Sequence, residues 1–115
     1  EYHLNESVIF LENITNIYDY FSAMDIFLLP SHFEGLPLVG IEAQANGIKC
    51  LFSSTIDRSL KINTNVKILD LDIEKWISEC KNGQRIESEK NLRDNGYDIK
   101  QQVIKLCNIY DKGMK

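Results

Sequence analysis

Four short apolar runs set the options for this chain: Val8-Ile9-Phe10-Leu11, Ile26-Phe27-Leu28-Leu29, Cys50-Leu51-Phe52 and Val66-Lys67-Ile68-Leu69. Each has the length of a strand and, apart from Lys67, no polar break, as strands covered on both faces of a sheet do. Between the first two runs, Ile17, Tyr20, Phe21 and Met24 recur at the three-and-four spacing of one buried helix face, which predicts a helix from Ile17 to Met24 capped by Asn16. Between the second and third, a helix from Pro37 to Asn46 is expected, stopped by Gly47 in a left-handed conformation. Strand, helix, strand, helix, strand is a right-handed crossover series. The expected class is therefore α/β, a parallel sheet of about four strands with flanking helices.

The rest of the chain is less sharply patterned. Residues 53–65 are polar, with room for a short helix over Asp57 to Lys61. Asp72 can cap a helix from Ile73 to about Lys81 that buries Ile73, Trp76, Ile77 and Cys80. Residues 82–90 read as a loop. From Ile99 onward, Ile99, Val103, Leu106, Cys107 and Tyr110 stripe one face of a final helix, a pattern of packing rather than chemistry.

At 115 residues, with 43% hydrophobic and 26% charged, the chain has the makings of one domain with a small core. A net charge of −4, without clustered Lys and Arg among aromatics, argues against nucleic acid as a partner and favours small molecules. Nothing approaches the ~18 consecutive apolar residues of a membrane span, and the first residues lack the pattern of a signal peptide, so a cytoplasmic setting is expected. Three widely spaced cysteines, Cys50, Cys80 and Cys107, match neither a disulfide framework nor a zinc spacing; reduced, packed thiols are expected. Because a strand is expected as early as Val8, the chain reads as a piece of a larger protein.

The stretch Pro30 to Gly47, PSHFEGLPLVGIEAQANG, carries the chemistry. In an open parallel sheet, ligands sit beyond the carboxyl ends of the strands, and the loop from Pro30 to Leu36 has that position. Its helix opens on Pro37, which has no N–H, and Leu36 has no side-chain oxygen with which to cap Leu38 or Val39. A phosphate suits those donors, and Gly35 lets it approach the backbone. Leu38, Ile41, Glu42 and Ala45 share one face of the helix, so Glu42 is expected at the edge of that face, accepting hydrogen bonds. It lies about 7 Å along the axis from Pro37, which suits ribose hydroxyls next to a diphosphate at the helix start. Glu34, ahead of the helix, can take hydroxyls of a sugar beyond the phosphates. Each acid also has a plain reading: Glu34 as a charge favouring a helix N-terminus, Glu42 as a partner for a Lys or Arg.

The run NIYDYFSAMDIFLLPSHFEGLPLVGIEAQANG resembles the donor-binding, C-terminal half of group 1 (family 4) glycosyltransferases with the GT-B fold. The segments that carry the resemblance are Asp25 to Ser31, Glu34 to Val39, and Glu42, Ala43 and Gly47. It implies a Rossmann-like, partial C-terminal domain over residues 1–115, without the N-terminal acceptor domain or the Arg and Lys that bind the diphosphate. The resemblance further implies that Glu34, the catalytic candidate, contacts the donor sugar and that Glu42 holds the nucleotide ribose. Backbone groups of Gly35, Leu36, Leu38 and Val39 would then lie near sugar and diphosphate. In such enzymes a nucleotide-diphosphate sugar is the donor, transfer retains configuration, and no metal or other cofactor is needed. The acceptor would be a saccharide or a lipid-linked saccharide, held through the missing domain, with peripheral membrane association of the parent enzyme and a role in bacterial surface polysaccharide. The isolated chain is expected to be inactive.

Other readings have weaker support. Asp70-Leu71-Asp72 has the Asp-x-Asp form of a metal site, but Asp72 is placed as an ordinary helix cap. His3 and His32 are isolated, and no Ser-His-Asp arrangement is visible. Paired carboxylates can hydrolyse glycosides, though a parallel sheet with a phosphate-type helix start argues against it. The alternative of another class is a non-catalytic Rossmann-like module that binds a phosphorylated ligand or a protein partner.

Overall fold

The computed structural model describes residues 3–114, arranged as α1 (Ile17–Ala23), β1 (Ile26–Leu29), α2 (Leu38–Ala45), β2 (Lys49–Ser53), a 3-10 turn at Arg58–Leu60, β3 (Val66–Leu69), α3 (Ile73–Glu79), α4 (Glu89–Asp94) and α5 (Ile99–Gly113). The three strands pair in parallel in the order β1-β2-β3, with Phe27 beside Cys50 and Cys50 beside Val66. Helices flank this sheet in the Rossmann-like α/β arrangement that the alternation predicts. Every residue of β2 is buried, as a central strand with both faces covered requires.

The core lies between one face of the sheet and α1 and α2. It joins Phe21, Ile41, Ala43, Ile48, Cys50, Phe52, Leu60 and Val66, with Phe27 packed against it. Edge-to-face contacts link Phe21 to Phe27 at 5.9 Å and Phe27 to Phe52 at 6.5 Å between ring centres. Helix α2 lies close on β2 at Gly40, where an added Cβ would come within 3.2 Å of Phe52 Cζ and 3.1 Å of Leu60 Cδ2. On the opposite face Leu51 is fully buried, and Lys49 Nζ donates to Glu79 at the end of α3, to the carbonyl at 2.5 Å and to Oε2 at 3.2 Å. Trp76 of α3 is 8% exposed, and its indole N–H donates to the Asp70 carbonyl at 2.8 Å.

Two polar side chains tie the elements together. Gln44 of α2 is fully buried and donates to the carbonyls of Gly40 (3.0 Å) and Leu60 (2.7 Å), while its Oε1 accepts from the amides of Ile62 and Asn63, both at 3.0 Å. Arg85 gathers the carboxyl ends of two helices: it donates to the carbonyls of Phe21, Ser22 and Met24 around the end of α1, and to the carbonyl and side chain of Asn46 after α2. Those are the carbonyls a helix leaves unpaired, and a guanidinium also complements the dipole there. Gly47 ends α2 at φ +79°, as its position predicts.

The structure departs from expectation in several elements. Residues 8–11 form no strand; Ile9 and Phe10 are strongly exposed, Phe10 at 90%. A strand needs a neighbour for its backbone groups, and among the described residues none pairs with this segment. Asn16 sits at the N-cap position of α1, but its side chain donates to Asp19 instead of capping an amide. The short turn near Asp57 is present as a 3-10 turn, with Asp57 accepting from the Ser59 amide. In α3 only Trp76 is buried; Ile73, Ile77 and Cys80 are exposed, because one short helix presents a single turn to the sheet. The segment expected as a loop through Lys90 turns helical at Glu89, and α4 is fastened by Ser88 Oγ donating to the Ala45 carbonyl at 2.7 Å. None of the α5 stripe is buried, with Ile99 at 74% exposure, since no described element covers that face. Cys50 is buried as expected, whereas Cys80 and Cys107 are exposed rather than packed.

Candidate functional site

The site-bearing loop leaves the carboxyl end of β1 and is pinned to the end of β2. Ser53 Oγ and Thr55 Oγ1 both donate to the Ser31 carbonyl, the latter at 2.8 Å, and the two hydroxyls are 2.9 Å apart. Ser31 Oγ in turn donates to Glu34 Oε1 at 3.1 Å. Hydroxyls at and just after the buried end of β2 therefore fix the Ser31 backbone, and the Ser31 side chain orients the half-buried Glu34. Sequence reasoning missed Ser31, Ser53 and Thr55 in this role; the hydroxyl cluster Ser53-Ser54-Thr55 directly after an apolar run was the available signal.

Helix α2 begins one residue later than expected. Pro37 is the N-cap, extended at φ −72°, ψ 107°, and its carbonyl accepts the first turn's bond from Gly40 at 3.0 Å. No side chain caps the helix. The amides of Gly35, Leu36, Leu38 and Val39 have no hydrogen-bond partner among the described residues. Four donors thus cluster around a helix start, where the dipole adds partial positive charge, and a Cβ at Gly35 would meet nothing within 4 Å. Such a start favours an anion.

Glu42 stands on the next turn and is half-buried, at the edge of the helix face that points to the core. The buried line of α2 is Gly40, Ile41, Ala43 and Gln44, so the expected face of Leu38, Ile41, Glu42 and Ala45 is only partly covered: Leu38 and Ala45 are exposed. The reason is that the helix packs closest at Gly40, against Phe52 and Leu60, and so turns that side to the core. Among the described residues Glu42 has neither an ion pair nor a side-chain hydrogen bond, so the bonds it was expected to accept are not made within the chain. A cavity of about 280 Å³ at the same rim is lined by Pro30, Leu71, Ile73 and Trp76; neither glutamate lines it. The aromatic and aliphatic side chains of Phe33, Leu36 and Leu38 around the helix start are exposed.

The competing motifs resolve into structural parts. Asp72 accepts from the Glu74 amide at 3.0 Å as the cap of α3, and Asp70 Oδ2 lies 3.7 Å from Lys75 Nζ. His32 is exposed in the loop.

Residues 1–89 match the family model described as "Glycosyl transferases group 1". The chain belongs to the group 1 glycosyltransferases. Its relatives include a protein of Bacillus subtilis (strain 168) named as glycosyltransferase EpsF, 33% identical over 95% of this chain and 31% of that protein. The UDP-Gal:alpha-D-GlcNAc-diphosphoundecaprenol alpha-1,3-galactosyltransferase of Escherichia coli is 30% identical over 76% of this chain and 25% of its own length. The capsular polysaccharide biosynthesis glycosyltransferase CapH of Staphylococcus aureus is 29% identical over 93% and 31% respectively. No solved structure matches with significance. The chain thus spans about a third or less of the length of these relatives. Within the group 1 match fall Glu34, Glu42 and the four unpartnered amides; α5 lies outside it.

Proposed function

We propose that this chain forms the donor-binding surface of a glycosyltransferase that moves a sugar from a nucleotide-diphosphate sugar to a polysaccharide or lipid-linked acceptor. One observation carries the reading: unpartnered amides at Gly35, Leu36, Leu38 and Val39 stand between two carboxylates that no cation of the described chain neutralises. The diphosphate would accept from those amides at the start of α2. Glu42, one turn further, would accept from ribose hydroxyls, and Glu34, held by Ser31, would accept from hydroxyls of the transferred sugar.

The class of acceptor draws on what two relatives are named for, a diphosphoundecaprenol-linked sugar and a capsular polysaccharide. Transfer with retention, without a metal, on the cytoplasmic side and with peripheral attachment of the longer protein to the membrane completes the proposal. Turnover belongs to that longer protein, with its acceptor-binding part. The present chain binds donor weakly and does not turn it over. The test is thermal melting with and without UDP-glucose, UDP-galactose and the corresponding GDP-sugars. At least one raises the melting temperature of the chain, and Glu42→Ala abolishes the shift. If none of them stabilises the chain, or Glu42→Ala leaves the shift intact, the donor assignment is wrong.

A further inference from the structure

A second concavity, about 460 Å³, lies beside β3 and is lined by Ser54, Arg58, Lys61, Lys67, Ile68 and Asp70. Three of these six residues are cations, in a chain whose net charge is −4. Among the described residues none of the three forms an ion pair, whereas Lys49, Lys75, Lys90 and Arg93 each reach a carboxylate. The acid in the groove, Asp70, is itself matched by Lys75 at 3.7 Å, so it does not cancel the other charges. The groove is a local positive island in an acidic protein.

Three like charges around one opening repel one another, and an anion between them relieves that repulsion. A phosphate group fits better than a carboxylate. It brings more charge and more acceptor oxygens, and the planar fork of Arg58 matches two of them at once while Lys61 and Lys67 act as point charges. Ser54 is fixed at the wall by its amide donating to the Leu69 carbonyl at 2.8 Å, which leaves its hydroxyl as a further donor. Ser54 and Asp70 directly follow β2 and β3, so the groove opens at the same rim of the sheet as the loop after β1. Two strand spacings, roughly 10 Å, separate β3 from β1, more than one phosphate group can bridge. We propose that this groove is a second anion site that takes a phosphate group, presented by a soluble phosphate or by a lipid headgroup. It does not depend on the donor assignment.

The experiment follows amide shifts of the whole chain during titration with inorganic pyrophosphate, together with co-sedimentation on vesicles of phosphatidylglycerol in phosphatidylcholine. The comparison is the double variant Arg58→Gln, Lys67→Gln. Both residues are exposed, so the variant is expected to melt as the parent does. Saturable shifts at Ser54, Lys61 and Lys67, with a dissociation constant raised at least ~10-fold in the variant, establish a soluble phosphate as the occupant. Co-sedimentation that needs phosphatidylglycerol and is lost in the variant establishes a lipid headgroup. Shifts confined to residues 35–39 with no vesicle binding support the donor surface alone and overturn this site. So does any binding that the variant retains in full.

Discussion

Every hydrogen-bonding atom of the Gln44 amide is engaged, yet nothing in the sequence around it distinguishes it from a surface glutamine. Its partners Leu60, Ile62 and Asn63 lie 16 to 19 positions away, and only the folded chain brings them together. Arg85 was equally silent in the sequence, because the carbonyls it collects belong to residues up to 64 positions earlier. Gln44→Ala takes the side-chain partner from the amides of Ile62 and Asn63 and from the Leu60 carbonyl, and is expected to lower stability by about 2–4 kcal/mol in denaturant unfolding. Cys50 offers a pH test. Burial pushes its thiol from 9.0 up to about 12, so the folded state keeps a proton that the unfolded chain sheds. Stability that is complete below pH 9 is therefore lost as pH rises toward 12, and Cys50→Ala flattens the fall in alkaline denaturant melts. Thiol reagents should label Cys80 and Cys107 in the native chain and reach Cys50 only on unfolding. Glu34 and Glu42, by contrast, were legible as candidates from their place around a proline-started helix.

Among the elements, those with local signals were the ones the sequence revealed. β1, β2 and β3 are apolar runs of strand length, and all three pair as expected. The end of α2 was equally plain, since Gly47 adopts the positive φ its position calls for. An added Cβ at Gly47 would also lie 2.1 Å from the Ile86 carbonyl oxygen, whose residue bonds back to the Gly47 carbonyl at 3.0 Å. Gly47→Ala is thus expected to cost about 2–4 kcal/mol, more than the conformational strain alone, by denaturant unfolding. Residues 8–11 and the stripe of α5 have patterns as good as those of buried elements. Their misreading has a physical cause: periodicity reports which face can be covered, not whether a covering element is there. α4 was missed although Glu89–Arg93 and Lys90–Asp94 stand at helical pairing distance and Gly96 follows at φ +87°. Its polarity hid it.

At the scale of the whole molecule, the fold supplies the rim of a parallel sheet, a loop pinned to that rim by hydroxyls, and a helix whose first amides are free to donate. Family membership was legible because its motifs sit in that one loop and helix. The neighbouring cavity was not, because Pro30, Leu71, Ile73 and Trp76 come from separate stretches of chain. Under the proposed function, the start of α2 receives a diphosphate while Glu42 receives the ribose. The most direct measurement is the amide spectrum of the isotope-labelled chain titrated with UDP. Saturable shifts are expected at Gly35, Leu36, Leu38 and Val39, with affinity at least ~10-fold weaker in Glu42→Ala. Saturable binding that leaves those four amides unmoved, or no binding at millimolar UDP, would contradict the proposal.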